Sequence, residues 1–223
     1  EFLPALRQAG LMERLGEVMI RDALTALRAW DEQGHDIPRV GVNFSTAELR
    51  SPHLVDHVTW DLDRFDLTPD RLVIEVLETV VAGQSEDFVI RNLSGLARLG
   101  CCLDLDDFGT GHASITNIRR FSIERIKIDR SFVTNIDQDS EQQQMVAAIL
   151  TMADRLGLDT LAEGVETLAE QNMLERLGCG HAQGFGIARP MPFEETSQWI
   201  TDFTTDVPRL ITLPGRAGLS AAQ

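Results

Sequence analysis

The sequence predicts an α/β protein built on a parallel sheet, and three observations carry that reading. Strand-like and helix-like segments alternate six times in series, the pattern of parallel strands joined by crossover helices. Several strand segments, such as Leu72-Val73-Ile74-Glu75-Val76-Leu77, are apolar on nearly every position, which suits strands covered on both faces. Polar residues gather at or just past the C-terminal end of each strand segment. A doubly wound sheet and a (β/α)8 barrel both accommodate the alternation, and six units fall two strands short of a barrel.

The elements follow in order. Leu11, Leu15, Val18, Met19, Ala23, Ala26, Leu27 and Trp30 recur at helical spacing, so 11–33 reads as an amphipathic helix, ended by Gly34 and Pro38. Residues 39–45 read as a short strand. Leu54, Val55, Val58, Leu62 and Phe65 mark a second helix, closed before Pro69, and 72–77 is the second strand. Ser85 is placed to cap a third helix carrying Val89, Leu93 and Leu96, which Gly100 stops. Residues 101–106 form a strand that runs into the glycine loop Phe108-Gly109-Thr110-Gly111, with a short helical stretch near 112–120. Strands at 123–128 and 158–162 flank a strong helix over 141–156. A helix at 167–177, a glycine-marked strand at 179–186 and a helix at 193–201 complete the series. The residues after Phe203, with Pro208, Pro214 and Gly215, show no clear period, so the folded domain is expected over 1–203 and a tail over 204–223.

Composition narrows the function. The chain has 223 residues and a net charge of −15, from 20 basic and 35 acidic side chains. That balance argues against binding a DNA or RNA polymer, which needs a basic surface, and against contact with an anionic membrane. A small anionic ligand reached through metal ions stays open. No segment approaches the ~18 to 20 apolar residues of a membrane span. The opening Glu1-Phe2-Leu3-Pro4 lacks the basic and apolar regions of a signal peptide. Cys101, Cys102 and Cys179 make a poor disulfide framework, which fits a reducing cytoplasm. Of the 20 basic residues, 19 are Arg; the one Lys is Lys127.

The strand-end residues are Asn43; Glu75 and Glu78; Asp106 and Asp107; Lys127 and Asp129; Glu163 and Glu166; and Gln183. Any one of these is ordinary as a turn or loop residue. Their recurrence at six successive strand ends is not, because in a parallel barrel those ends meet at one mouth. Carboxylates crowded there repel one another unless some protonate or cations bind. Oxygen donors without thiolates favour Mg²⁺, Mn²⁺ or Ca²⁺. A pair of such ions can clamp a phosphodiester and activate water, and a lone Lys can orient the nucleophile and stabilise charge on the phosphoryl group.

Other features carry less. Asp107-Phe108-Gly109 spells the magnesium tripeptide of kinases, but the rest of the kinase set is missing. His53 and His57 lie one helical turn apart, away from the strand ends, and read as surface or packing groups. Arg7, Arg14, Arg21 and Arg28 read as one solvated helix stripe, and Cys101 and Cys102 as strand packing.

The motifs together resemble the EAL family of cyclic di-GMP phosphodiesterases. The resemblance rests on Val42-Asn43-Phe44-Ser45, Ile74-Glu75-Val76-Leu77-Glu78-Thr79, Asp104-Leu105-Asp106-Asp107-Phe108-Gly109-Thr110-Gly111, Lys127-Ile128-Asp129-Arg130-Ser131-Phe132-Val133, Ala162-Glu163-Gly164-Val165-Glu166-Thr167, and Gln183-Gly184-Phe185 running to Pro190-Met191-Pro192. It covers roughly residues 1–200 and implies a (β/α)8 TIM-type barrel that hydrolyses cyclic di-GMP to linear pGpG with two Mg²⁺ or Mn²⁺ ions, Ca²⁺ being inhibitory. By motif position Asn43, Glu75, Asp106, Asp107 and Glu163 would be metal ligands. Lys127 would sit beside the attacking water, so that Lys127, Glu163 and Asp106 carry the chemistry. Glu78 would brace the loop containing Gly109 and Gly111. Asp129 and Glu166 would support the site, and Gln183 and Phe185 would lie against the substrate. A homodimer and a bacterial cytoplasmic setting, as a domain of a longer protein, are also implied. The alternative is a receptor that holds cyclic di-GMP without cutting it. Leu77 stands where the family usually has Thr, and His112 and Ala113 stand where it has Tyr and Ser. The naming Glu-Ala-Leu motif, on a strand that would precede residue 1, is not in the sequence, so the N-terminal strand region of the barrel is expected to be missing from it.

Overall fold

A computed structural model describes residues 2–82, 87–111 and 114–206. Along the chain run α1 (Leu3–Gln8), α2 (Met12–Glu32), β1 (Val40–Phe44), α3 (Thr46–Leu49), α4 (Leu54–Phe65), β2 (Leu72–Leu77), α5 (Glu78–Ala82), α6 (Asp87–Leu99), β3 (Cys102–Phe108), α7 (Ile115–Arg120), β4 (Arg125–Ile128), α8 (Arg130–Val133), α9 (Ser140–Leu156), β5 (Asp159–Ala162), α10 (Leu168–Leu177), β6 (His181–Ala182) and α11 (Phe193–Asp206). The strands form one sheet in the order β1-β2-β3-β4-β5-β6, and every pair is parallel. A doubly wound sheet would reverse direction at a switch point. This order never reverses, so the fold is a partial barrel of the (β/α)8 type. Of the described residues, 2–189 make one compact unit and 190–206 another; α11 lies in the second, where Trp199 and Phe203 stack with ring centroids 4.8 Å apart.

The sheet is covered because its strands have apolar side chains to bury. Leu72, Ile74, Val76, Leu103, Leu105 and Ile126 are fully buried and pack with Leu24 and Leu27 of α2, Val58 and Leu62 of α4 and Leu93 and Leu96 of α6. A second cluster joins Ile128 and Ala162 to Val133, Ile136, Val146 and Leu174. Each fully buried Leu or Ile contributes roughly 1.5–3 kcal/mol. Helices α9 and α10 end where the sequence indicates, with Gly157 and Gly178 left-handed at their C-caps, whereas α11 runs to Asp206, past the expected end at 201.

Two expectations are corrected. The face of α2 that packs inward is Gly16, Ile20, Leu24 and Leu27, whereas Val18 and Met19 are exposed. Gly16 sets this phase: the Glu48 carboxylate of α3 lies against its Cα, where any side chain would collide. The last strand is two residues long, not eight. Gly184 and Gly186 press against the backbone of residues 165–166, and the amides of Ile187 and Ala188 turn back onto the Gly184 carbonyl. These glycines serve close loop contact instead of strand. Ser85, His112, Ala113 and the tail beyond residue 206 lie outside the described residues.

All three cysteines are buried and unbridged, and burial pushes the Cys101 thiol up to about 12 and that of Cys102 to about 11, so neither is a thiolate at neutral pH. His57 on α4 and His53 at its N-cap are exposed; Arg14, Arg21 and Arg28 are exposed on α2, whereas Arg7 lies on the separate helix α1, so the expected single stripe holds for three of the four.

A small cavity of about 20 Å³ between α2, α3 and α4 is lined by Glu13, Glu17, Glu48, His57 and Asp61. Asp61 is 6% exposed, and its Oδ1 has no hydrogen-bond partner among the described residues. Burial raises its pKa above the ordinary 3.8, against the opposing pull of Arg21, Arg64 and His57. A carboxyl whose folded pKa is raised contributes stability at low pH that is lost as pH rises through the folded value. Asp61→Asn is therefore expected to stabilise the fold at pH 7 by about 1 kcal/mol, a gain of a few degrees in melting temperature. The gain should vanish toward pH 4; a scan showing equal or lower melting temperature at pH 7 refutes it.

Candidate active site

The parallel strands deliver their polar ends to one mouth. Asn43 on β1 lies in register with Glu75 on β2, Glu75 with Asp104 on β3, and Leu77 with Asp106. Regular pleating would send the side chains of Asp106 and Asp107 to opposite faces. Here the pairing of β3 with β4 runs Leu105 to Ile126 and then Phe108 to Ile128, so β3 holds one extra residue. Asp107 takes the left-handed conformation, φ 54°, unusual for a residue with a side chain and costing about 1 kcal/mol or more. The result is a bulge that brings neighbouring carboxylates to the same place. Oxygen atoms of Asp106, Asp107 and Glu163 all lie within 4.8 Å of one another.

Lys127 stands at the centre. It is 3% exposed, and its Nζ lies 2.8 Å from Glu75 Oε2, 2.8 Å from Asp106 Oδ1 and 2.8 Å from Glu163 Oε1. Burial opposes its charge, but Glu75, Asp106 and Glu163 together outweigh burial and hold the ammonium above its ordinary pKa. Burial raises the pKa of Glu163, with Lys127 opposing and Asp106 and Glu75 reinforcing. Burial also raises that of Asp107, reinforced by Asp106 and Asp129. Three acids held this close are a poor resting arrangement unless cations neutralise them. An all-oxygen set of Asp and Glu, with Asn43 alongside Glu75, fits hard divalent ions.

The glycine loop is braced from below. Glu78, the first residue of α5 and 3% exposed, accepts hydrogen bonds from the amides of Gly109 (2.9 Å) and Gly111 (2.8 Å). Gly109 has φ 105°, and a Cβ there would sit 2.5 Å from Phe132 Cε2, so only glycine serves.

Beside the acids opens a cleft of about 280 Å³ whose walls include Asp107, Asp129, Glu163, Glu166, Gln183 and Phe185. Phe185 is 53% exposed, and the Arg189 guanidinium lies 4.8 Å from its ring centroid. Asp129 caps α8 by accepting the Ser131 amide.

Thus Glu75, Asp106, Asp107, Lys127 and Glu163 are brought together. Asp129, Glu166, Gln183 and Phe185 line the adjoining cleft, Glu78 stands behind the loop, and Asn43 sits on the edge strand. Two features were not anticipated. Under the mouth, Arg125 Nε donates to Asp104 Oδ2 at 2.7 Å, an ion pair between a half-buried Arg and a buried Asp, one layer below Lys127. Glu170 on α10 is 5% exposed and accepts from three backbone amides. The spacing Thr167-x-x-Glu170 is a capping box, the one sequence signal that could have revealed it.

Fold and site define a barrel-type α/β protein with an acidic centre around one lysine at the strand C-termini. Comparison with known proteins makes this specific: the EAL domain model matches residues 1–190, and the chain belongs to the EAL domain family. It is 37% identical over 195 residues to the bifunctional diguanylate cyclase/cyclic di-GMP phosphodiesterase MucR of Pseudomonas aeruginosa, covering 87% of this chain and 28% of that protein. It is 35% identical over 202 residues to the signaling protein YkoW of Bacillus subtilis, covering 91% and 25%. The chain thus spans about a quarter of the length of the curated relatives it matches. Among solved structures, the cyclic di-GMP complex of the P. aeruginosa MucR phosphodiesterase superposes with a TM-score of 0.81 at 37% identity, over 87% of this chain and 78% of that one. A manganese and cyclic di-GMP complex of Klebsiella pneumoniae BlrP1 gives 0.71 at 30% identity, over 80% and 45%. Among the described residues no helix is long and apolar enough to cross a membrane.

Proposed function

We propose that the chain hydrolyses one phosphodiester bond of cyclic di-GMP to give linear pGpG. The observation that carries this reading is the buried Lys127 ammonium, 2.8 Å from each of three carboxylates, Glu75, Asp106 and Glu163, contributed by β2, β3 and the loop after β5. The names of relatives that act on or bind cyclic di-GMP support the choice of substrate. Asn43, Glu75, Asp106, Asp107 and Glu163 would hold two Mg²⁺ or Mn²⁺ ions. When bound, such ions lower the pKa of a coordinated water and neutralise the charge on phosphate.

The chain's own groups do the rest. Lys127 Nζ, locked in its charged form, orients the attacking water and stabilises negative charge on the phosphoryl oxygens. The Glu163 carboxylate takes the proton from that water. Water oxygen bonds to phosphorus, one P–O ester bond breaks, and the leaving ribose oxygen takes a proton from solvent to end as a hydroxyl, while Glu163 returns its proton to solvent. Glu78 keeps the loop of Gly109 and Gly111 in place, and Asp129 and Glu166 support the walls. Gln183 meets the substrate, and the Phe185 face, backed by Arg189, receives a guanine base.

The test is chromatography of cyclic di-GMP incubated with the protein and Mg²⁺ or Mn²⁺, beside a binding titration. pGpG should appear, and EDTA should stop its formation outright. Hydrolysis that survives chelation overturns the two-metal reading. Binding without cleavage identifies a receptor.

A further inference from the structure

We infer that Glu170 is a positioning residue, whose buried carboxylate fixes the spacing between the two walls of the cleft. One wall is the loop 163–167 between β5 and α10, which carries Glu163 and Glu166. The other is the segment that begins with Asp129 and Arg130 and ends at Asn135, after α8. Glu170 Oε1 accepts from the Asn135 amide at 2.9 Å. Its Oε2 accepts from the amides of Glu166 at 2.9 Å and Thr167 at 3.0 Å. One carboxylate therefore joins both walls from behind. The Glu170 amide in turn donates to Thr167 Oγ1 at 3.2 Å, so the side chain is held at its own helix start.

In front, the walls already touch. Gly164, with φ 70°, sits so close to Arg130 that a Cβ would lie 2.5 Å from the Arg130 Cβ. Contact in front and a carboxylate bridge behind leave the loop little freedom to tilt. On its other side it is held by Val165, whose amide donates to the Gln183 carbonyl at 3.0 Å. Glu163 rides on the one part of this loop that must reach Lys127. Asn135 has φ 61°, so the backbone turns to aim its amide at Glu170.

The bridge needs a carboxylate. Three N–H donors converge on two oxygens, and a glutamine would offer one oxygen and place an N–H₂ against an N–H. Burial alone would raise the Glu170 pKa, yet the amides of Asn135, Glu166 and Thr167 hold it below the ordinary value, as expected for an ionised acceptor.

The inference rests on the proposed function, since it assigns Glu163 to a metal centre. The experiment is an Mn²⁺ titration followed by electron paramagnetic resonance, with a cyclic di-GMP binding titration and melting curves alongside. Wild type, Glu170→Gln and Glu170→Asp are compared with Asp31→Ala, which breaks the Asp31–Arg71 ion pair just before β2, at the end of the strands opposite the cleft, and serves as the stability control. Glu170→Gln should raise the Mn²⁺ concentration for half-saturation about tenfold, with kcat reduced more than KM is raised. Asp31→Ala should leave Mn²⁺ binding unchanged at a similar loss of melting temperature. If Glu170→Gln does not fold, Glu170→Asp, which keeps the charge but withdraws it by one methylene, should show the same weakening. Mn²⁺ binding in the folded Glu170 variant equal to that of Asp31→Ala overturns the inference. A wild type that binds neither Mn²⁺ nor cyclic di-GMP overturns the reading of the site and this inference with it.

Discussion

Lys127→Ala is expected to lower cyclic di-GMP turnover by about two to three orders of magnitude while leaving its binding within a few-fold of wild type. The size follows from removing a preorganised charge from a site sheltered from water, which costs ~2.7–4 kcal/mol at the transition state. Binding survives because Lys127 is only 3% exposed and lies among carboxylates, away from the open cleft of Gln183 and Phe185. Product chromatography and a binding titration on the same preparation separate the two quantities. The substitution also leaves Glu75, Asp106 and Glu163 facing one another, so the metal-free variant should lose roughly 3–5 kcal/mol of stability and recover much of it when Mn²⁺ is added. Lys127→Arg should not rescue turnover, since a planar guanidinium cannot replace a compact ammonium held 2.8 Å from each of three acids. The Lys127 pKa is raised, so its stabilising charge is fully present through neutrality and is lost only as pH rises through the folded value. A flat stability profile around pH 7 from this group, and turnover in Lys127→Ala indistinguishable from wild type, are the agreeing and the refuting results.

Asp106→Asn is the second large effect. Asp106 is 8% exposed, contacts Lys127 at 2.8 Å, and belongs to the three-carboxylate group with Asp107 and Glu163. The amide is nearly isosteric, so the fold should persist. One negative charge is removed from a centre proposed to hold two dications. The Mn²⁺ concentration for half-maximal activity should rise at least tenfold, and turnover at saturating metal should fall by about two orders of magnitude. Activity measured across an Mg²⁺ and Mn²⁺ series decides it; a metal response superimposable on wild type would remove Asp106 from the set.

What could be read in the sequence was whatever has a period or a position. Leu72–Leu77 was legible to the residue because an apolar run before a polar end is its own signal. The strand-end residues were legible because parallel strands put every C-terminal end on one side. The wrong phase of α2 came from a helix with apolar residues most of the way round; what selects Ile20, Leu24 and Leu27 over Val18 and Met19 is the approach of Glu48 to Gly16, a tertiary fact. The overlong last strand came from reading glycines as strand punctuation, when Gly184 and Gly186 are there to admit the 165–166 backbone. Glu170 and the Asp104–Arg125 pair escaped because their partners are distant in sequence or are backbone amides, which carry no residue identity.

The extra residue in β3 has a consequence for how the chain can vary. A strand read two residues at a time can present alternate side chains to a centre, never successive ones. The irregularity between Leu105 and Phe108 suspends that rule for one step, and the doublet Asp106-Asp107 works as a pincer only there. Deleting either member would not merely remove a charge. It would restore the ordinary pleat, shift Phe108 and the glycine loop by one position, and turn the remaining acid's neighbours inside out. The spacing of this doublet is thus a fixed length of chain, as much a part of the site as its carboxylates.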